Sequence, residues 1–382
     1  MQLMGEKCMN NKCCGCSACA LACPKNAIEM KINREGFYRP LINKEKCIDC
    51  GLCNKVCFYE TGRCQSKILA IKGLYSAYTL NIETRQTTSS GGIANEIAKY
   101  YLKNNKNVCA VIYDDENRVA KHINITTNNL DEVHKIKGSK YIQSLNYEGF
   151  KNALESDKEC VVFGTPCQIS GFRKIIELKK AEEKFLLIDI YCHGVPTYNL
   201  WNKYLDKITK KYGIHKNPKV IFREKKLGWH NYYMKIYDDK KEYVRIRDKD
   251  IFYMYFLNSM CNSQSCYECE FRNDSCADIR LGDFWGKRYE KDEKGYSMVC
   301  INTLKGKEFI EKLKNVSIEQ VDVEERFGQQ TEQSLKPSNY KKNIDKLKRK
   351  KYNFLWTSIK YNIIYYYRNI KKTVKKILKG EM

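Results

Sequence analysis

The stretch "CCGCSACALACP", Cys13 to Pro24, places five cysteines within eleven residues. Free thiols at that density are hard to accommodate in an ordinary core, so the sulfurs are held either as disulfides or as thiolates on a metal centre. Disulfides persist in oxidising compartments and are rare in the cytosol. The N-terminal "MQLMGEKCMNNK" has neither an apolar h-region nor a small-residue cleavage site, which predicts that no signal peptide is removed and that the chain is cytoplasmic. In that setting the clustered cysteines are metal ligands.

Spacing selects the metal. Cys13, Cys16, Cys19 and Cys23 follow CxxCxxCxxxCP with Pro24 in place, the run with which bacterial ferredoxins hold [4Fe-4S] clusters. The run recurs in "CIDCGLCNKVC", where Cys47, Cys50, Cys53 and Cys57 keep the same offsets. Residues 5–65 are therefore expected to form a ferredoxin-type domain with two [4Fe-4S] clusters. In such domains the fourth cysteine of each run ligates the other run's cluster, which assigns Cys13, Cys16, Cys19 and Cys57 to one centre and Cys47, Cys50, Cys53 and Cys23 to the second. Zinc sites take two CxxC pairs across a longer spacer, a pattern these eight cysteines do not follow. Phe58 stands where the second run would carry proline, and Cys8, Cys14 and Cys64 fall outside the scheme.

With 382 residues the chain has room for two or three domains. No run approaches the ~18 apolar residues of a membrane span, so a soluble or peripheral protein is expected. The formal charge is +24, but Ser338–Met382 alone holds fourteen Lys/Arg against two acids and supplies half of it. Part of the remaining basicity goes with a Lys-, Asn-, Ile- and Tyr-rich composition of the kind AT-rich codons favour. No nucleic-acid-binding module signature is present, and no nucleic-acid partner is expected.

Beyond residue 70 the pattern changes. Apolar runs at Val108–Tyr113, Cys160–Gly164 and Phe185–Tyr191 read as buried strands, and Ile93–Leu102, Ile169–Leu178 and Trp201–Tyr212 have helical spacing. Further strands are expected at Lys219–Arg223, Tyr232–Tyr237, Ile279–Gly282 and Met298–Thr303. The fold class is thus α+β with α/β: a ferredoxin-like module, a mixed α/β domain over 70–332, and a basic helical tail over 333–382.

Two loops of the α/β region suit an anionic cofactor. In "TTSSGGIANEIAKYYL", Ser89, Ser90, Gly91 and Gly92 precede a helix, where backbone N–H groups and the helix dipole favour phosphate; a helix cap without ligand uses the same residues. In "VVFGTPCQISGF" a strand ends at Gly164 and Thr165–Gln168 turn into a helix, the place where open α/β sheets bind ligands. An ordinary turn with an inert Cys167 reads the same way. A second cysteine group follows, with Cys192 in "IYCHGVP" and Cys261, Cys266, Cys269 and Cys276 in "MCNSQSCYECEFRNDSCADIRLGDFWG". Its CxxC suits zinc or a third cluster, and a third cluster would extend the relay begun by the first two.

Together these segments resemble the family of coenzyme F420 hydrogenase/dehydrogenase beta subunits, in the form with a ferredoxin-like N-terminal extension. The resemblance rests on "SSGGIA" (Ser89–Ala94), "KGSKYIQS" (Lys137–Ser144), "FGTPCQISGFR" (Phe163–Arg173), "YCHGVP" (Tyr191–Pro196) and "SCYECEF…ADIRLGDFWG" (Ser265–Gly286). It implies a bound FAD, a [4Fe-4S] cluster beside it and two-electron chemistry at the flavin. Carried onto this chain, it makes Ser90, Gly91, Gly92, Lys140, Thr165 and Gln168 the cofactor-binding residues. It makes Cys192, Cys261, Cys266 and Cys269 the ligands of the third cluster, with Cys167 and Cys276 in reserve. His193 is placed as a proton donor or hydrogen-bond partner to the flavin, against a structural histidine, and Asp283 close to the cofactor, against a turn residue. The implied activity is an iron–sulfur flavoprotein oxidoreductase that passes electrons between the clusters and FAD and exchanges a hydride with an organic substrate or an F420-like carrier. Many members with the ferredoxin extension resemble proteins encoded near polysaccharide-biosynthesis enzymes, which points to a role there and to a redox partner protein or ferredoxin.

Two other function classes stay open on the sequence: a non-catalytic electron-transfer subunit of a larger redox complex, and a zinc-bearing interaction protein. In the tail, Leu347, Leu355, Ile359, Ile363, Tyr367, Ile370, Val374 and Leu378 recur near one helical face among lysines. That stripe suits peripheral contact with the inner face of the membrane, or packing on the domain.

Overall fold

The computed structural model describes residues 12–61, 71–126, 129–327, 332–349, 352 and 354. In the N-terminal module β1 (Ile28–Ile32) and β2 (Tyr38–Ile42) pair antiparallel, with Met30 opposite Pro40. The next strands are β3 (Gly73–Thr79), β4 (Asn107–Asp114), β5 (Val119–Ile125), β6 (Ser144–Leu145), β7 (Cys160–Phe163) and β8 (Phe185–Ile190). A separate antiparallel sheet comprises β9 (Lys219–Glu224), β10 (Tyr233–Tyr237) and β11 (Glu242–Ile246). With β12 (Ile279–Asp283), β13 (Ser297–Ile301) and β14 (Val316–Val321) the main sheet is nine-stranded, in the order β14-β3-β13-β12-β8-β7-β4-β5-β6. Its centre, β12-β8-β7-β4, is parallel and its flanks are mainly antiparallel.

Side-chain alternation along the central strands explains the layering. Val161, Leu186 and Ile188 pack to one face with Ile93, Ile97, Ala98, Tyr101 and Leu102 of the helix Ile93–Lys103. Cys160, Val162, Phe185 and Leu187 pack to the other, against Phe150 of the helix Tyr147–Glu155 and Ile169, Phe172 and Ile176 of the helix Pro166–Leu178. A strand buried on both faces is a short unbroken apolar run, and these are the runs the sequence displays.

The helix expected from Ile169 begins at Pro166. Thr165 caps it, Pro166 occupies its first turn, and the Thr165 N–H donates to Gln168 Oε1 at 3.1 Å, a capping box with proline at the start. A third core joins the helices Tyr198–Tyr212 and Ile251–Leu257 to the small sheet and to Ile28, Met30, Phe37 and Tyr38 of the N-terminal module. The module is therefore packed on the α/β domain. Tyr38 meets Tyr198 edge-on at 5.6 Å between centroids, and Phe58 meets Phe271 at 4.9 Å.

Of the expected tail stripe, Leu347 lies in the helix Tyr340–Lys348 and is buried with Ile344 against this third core. Leu355, Ile359, Ile363, Tyr367, Ile370, Val374 and Leu378 lie outside the described residues, as do Cys8 and Cys64. Among the described residues no helix is long and apolar enough to cross a membrane.

Candidate cofactor chamber and cysteine relay

The two cysteine runs fold alike. The chain turns left-handed at Gly15 and Ser17 in the first run and at Asp49 and Gly51 in the second, two and four residues after the leading cysteine each time. Such turns curl a short peptide around a common centre, and Ser17 and Asp49 adopt them without glycine's freedom. Cys19 is buried, and burial together with the neighbouring Cys16, Cys13 and Cys57 holds its thiol well above the ordinary value. Cys53 is raised by burial and by Cys50 and Cys23. Cys57 of the second run thus stands near Cys19 of the first, and Cys23 of the first near Cys53 of the second. Among the described residues no three Cys, His, Asp or Glu side chains converge on a point suited to a single metal ion; thiolates on a cubane stand farther apart than thiolates on one ion.

Four other cysteines come together at the junction of the two domains, and the set differs from the expected one. Burial pushes the Cys192 thiol up to about 12, with Cys167 and Cys269 nearby adding to the shift. Cys266 is raised by burial and by Cys192 and Cys269, and Cys269 by burial and by Cys167. Cys261 is apart from them. It is fully buried in the apolar core that also holds Tyr198 and Phe256, burial alone raises its thiol, and its backbone carbonyl accepts from the Thr197 N–H. The place given to Cys261 is geometrically that of Cys167, one of the two reserves. Cys276, the other, is buried beside Phe58 and Phe271. Cys14 has its thiol against both Cys16 and Cys167; the Cys14 thiol favours the Cys167 thiolate, and its own ionisation is suppressed by both neighbours. It bridges the first cysteine run and the junction group.

The chamber adjoins this group, with Cys192 in its wall. A cavity of about 450 Å³ is lined by Ser90, Gly92, Lys140, Thr165, Gln168, Cys192, His193 and Asp283, which brings together all the expected cofactor and catalytic residues except Gly91. Gly91 lies beneath the loop: a Cβ there would stand 2.4 Å from Ala77 O and 2.7 Å from Ser297 N, so its lack of a side chain lets the loop sit on the sheet. Gly92 caps the helix at a φ of +87°. The Ser89 hydroxyl accepts from the Ser139 N–H at 2.8 Å, tying the Ser/Gly loop to the Lys137–Lys140 loop.

Several of these side chains are already engaged. Lys140 donates to the carbonyls of Ile136, Lys137 and Gly138 at 2.9–3.1 Å, and burial lowers its pKa to about 7. Gln168 donates to Ser144 O at 3.1 Å. Asp283 accepts from Arg223 Nη1 at 2.6 Å and from Trp229 Nε1 at 3.1 Å, so both oxygens are used. His193 bonds through Nε2 to Phe256 O at 3.1 Å, and burial lowers its pKa; that contact keeps a proton on Nε2.

Other residues that brace the chamber and the junction were not singled out in the sequence. Lys225 is buried and donates to the carbonyls of Arg85, Ser90 and Lys294, and burial lowers it to about 7; it pins the Ser/Gly loop from behind. Arg280 pairs bidentately with Asp189 at 2.8 Å and also donates to Phe271 O and Asp274 O, which fixes the segment that follows Cys269. A charge inside an apolar strand, as in "FLLIDI" and "IRLGD", is the available clue to such a pair. Gln143 and Asn146 stitch the domains, Gln143 accepting from Tyr38 N and donating to Cys14 O, and Asn146 donating to Cys16 O.

The chain resembles known proteins along most of its length. Residues 74–150 match the N-terminal family model, and residues 157–326 the C-terminal one, of the "Coenzyme F420 hydrogenase/dehydrogenase, beta subunit", while residues 12–61 match "4Fe-4S dicluster domain". A subunit of the F(420)H(2) dehydrogenase of Methanosarcina mazei is 24% identical over 310 residues, 78% of this chain and 84% of that protein. The coenzyme F420-dependent sulfite reductase of Methanocaldococcus jannaschii is 24% identical over 378 residues, 91% of this chain. The chain spans about half, 52%, of that second relative's length. A solved structure of the F420-reducing [NiFe] hydrogenase complex from Methanosarcina barkeri aligns with a TM-score of 0.46 at 19% identity, covering 73% of this chain and 91% of that one.

Proposed function

The chain belongs to the family of coenzyme F420 hydrogenase/dehydrogenase beta subunits, with an N-terminal 4Fe-4S dicluster domain, and on that premise we propose that it is an iron–sulfur flavoprotein oxidoreductase. Cys167, Cys192, Cys266 and Cys269 would hold a third [4Fe-4S] cluster between the two N-terminal clusters and an FAD in the chamber, and the clusters would supply one-electron transfer. The observation that carries the reading is the start of the helix Pro166–Leu178: Thr165 lines the chamber while Cys167, two residues on, touches Cys14 of the ferredoxin run. Bound there, FAD supplies the exchange between one-electron transfer and two-electron hydride chemistry. The volume lies within the range of small-molecule sites, which runs from about 300 to 1,000 Å³, and Asn95 lines it with a buried, unpaired side-chain oxygen.

The chain's own residues hold and shape the site. Lys225 and Ser139 fix the Ser/Gly loop, Gly91 lets it lie on the sheet, and Asp283 accepts from Arg223, which lines the chamber, and from Trp229. His193 donates from Nε2 to Phe256 O and lines the chamber. The organic partner is a small molecule or an F420-like carrier, with a role in polysaccharide biosynthesis as the sequence-based expectation. Since one relative is one component of a dehydrogenase, a second reading is an electron-transfer subunit that relays to a partner enzyme.

Anaerobic purification with iron, acid-labile sulfide, zinc and flavin measured per chain tests this. About twelve iron atoms and about one FAD are expected. About eight iron atoms with no flavin would overturn the flavoenzyme and leave the relay subunit; zinc in place of the third cluster's iron would favour an interaction role for the junction cysteines.

A further inference from the structure

Behind the chamber, and sharing Lys137–Lys140 and Arg223 with it as a common wall, lies a second cavity of about 830 Å³. Eight Lys/Arg line it against four carboxylates. Two of the cations at its inner end, Lys140 and Lys225, are spent on backbone carbonyls. Arg223 is different. Its side chain is only 4% exposed, Asp283 takes Nη1, and Nε and Nη2 have no hydrogen-bond partner of proper geometry, although the Tyr141 phenol stands beside the guanidinium. Tyr232 and Trp285 pack against it, with the guanidinium carbon 4.3 and 5.4 Å from their ring centroids.

Nε–H and Nη2–H are the two parallel donors of an arginine's side edge, the fork that matches two oxygens of a carboxylate or phosphate. Leaving both unsatisfied in a buried wall is costly unless a ligand uses them. We propose that Arg223 is the docking point for an oxyanion, carboxylate or phosphate, carried by the organic substrate. Its charged part enters through the basic cavity and its reactive part reaches the chamber. Asp283 aims the fork, and Tyr232 and Trp285 keep it flat. The inference rests on the redox chamber proposed above and adds the chemical class of substrate that the chamber serves.

The test is a fluorescence titration of the anaerobically purified full chain with inorganic phosphate and, separately, acetate, with flavin measured in the filtrate at each step. Trp285 reports from beside the guanidinium. Saturable binding to the wild type is expected, weakened ~10-fold or more in Arg223→Gln. Arg223→Lys, which keeps the charge facing Asp283 but has no fork, is expected to lose nearly as much while retaining iron content and circular dichroism. Lys226→Gln, at an exposed position in the same cavity, is expected to change little. No binding to the wild type, equal binding to Arg223→Lys, or an equal loss in Lys226→Gln would overturn the proposal. So would release of flavin by phosphate, which would assign the fork to the cofactor. A wild-type chain without flavin that still bound phosphate through Arg223 would refute the flavin reading and leave the oxyanion site standing.

Discussion

Gly171→Ala tests the contact between the ferredoxin module and the α/β domain. Gly171 lies within the helix Pro166–Leu178, and a Cβ built there would stand 2.8 Å from Cys16 Sγ, 3.0 Å from Cys16 Cβ and 3.3 Å from Ala18 Cβ. Carbon contacts settle at about 3.5–4.0 Å, so the methyl intrudes by nearly an ångström. Helix propensity favours the alanine by about 1 kcal/mol, whereas overpacking a filled site costs about 1–3 kcal/mol. Which effect wins depends on Cys16. In a chain without clusters the Cys16 sulfur turns to another rotamer, leaving only the Cys16 and Ala18 Cβ contacts at 3.0 and 3.3 Å against the gain in helix propensity, and the alanine is close to neutral. In the loaded protein the sulfur is fixed by iron, Ala18 follows in the same turn, and the net cost is about 1–2 kcal/mol. The penalty therefore falls on cluster retention. Iron and acid-labile sulfide per chain, with EPR of the reduced cluster pair, are expected to show partial loss of the cluster assigned to Cys13, Cys16, Cys19 and Cys57, while the urea midpoint of the cluster-free chain is nearly unchanged. Full iron with an unaltered EPR signal would refute the placement of Cys16 as a ligand against this helix.

Cys167→Ser is expected to lower iron by about four atoms per chain relative to wild type, and Cys261→Ser to leave it unchanged; the reverse result would restore Cys261 as the ligand. Asp189→Asn leaves Arg280 charged and buried at 3% side-chain exposure, which costs about 3–5 kcal/mol; a denaturation midpoint equivalent to less than about 1 kcal/mol of loss would contradict the buried pair. Lys225 and Lys140 are held by burial at about 7, below the ordinary ~10.4. Between those values the unfolded chain carries a proton that the folded chain lacks, so their contribution to stability rises with pH over that window. The stability of the wild type relative to Lys225→Met should accordingly increase from pH 7 to 10 in parallel denaturation curves, and a flat difference would show that Lys225 remains fully protonated.

The central architecture was legible because it rests on short-range patterns. Val161, Leu186 and Ile188 alternate with Val162 and Leu187 in runs apolar on both faces, and two cysteine runs at identical offsets announce one structure repeated. Of the flanking strands β13 was expected at Met298–Thr303, whereas β3, β5, β6 and β14 were not legible. In β3, "GLYSAYT" mixes small, polar and aromatic residues because its neighbours on both sides are antiparallel strands, and β5, "VAKHINI", reads as loop or edge until β4 is beside it. The family resemblance implies Cys261 as a ligand of the third cluster beside Cys192, Cys266 and Cys269. The fold instead sets Cys167 among the junction cysteines, because the strand–turn–helix at Phe163–Cys167 and the loop after β8 end on the same side of parallel neighbours.

The same distinction separates the residues that hold the chamber from those that face it. Loop composition singled out Ser90, Gly91, Gly92, Thr165 and Gln168, and the hydrogen bonds show that composition marks local closure: a capping box, a helix cap, a glycine under a strand. A ligand needs the opposite property, a polar group whose local bonds are unmade. "KVIFREKK" gives no sign that one of its basic residues is such a group, since Lys225 and Arg223 differ only in what distant segments bring to them. Lys225 receives three carbonyls from Arg85, Ser90 and Lys294, and is satisfied. Arg223 receives one carboxylate from Asp283 on Nη1, while Nε and Nη2, with the Tyr141 phenol beside them, make no hydrogen bond of proper geometry. On that accounting Asp283 acts at the chamber through Arg223, and Asp283→Asn should weaken phosphate binding by misaiming the fork while leaving flavin content unchanged. A loss of flavin with phosphate binding intact would instead place Asp283 on the cofactor.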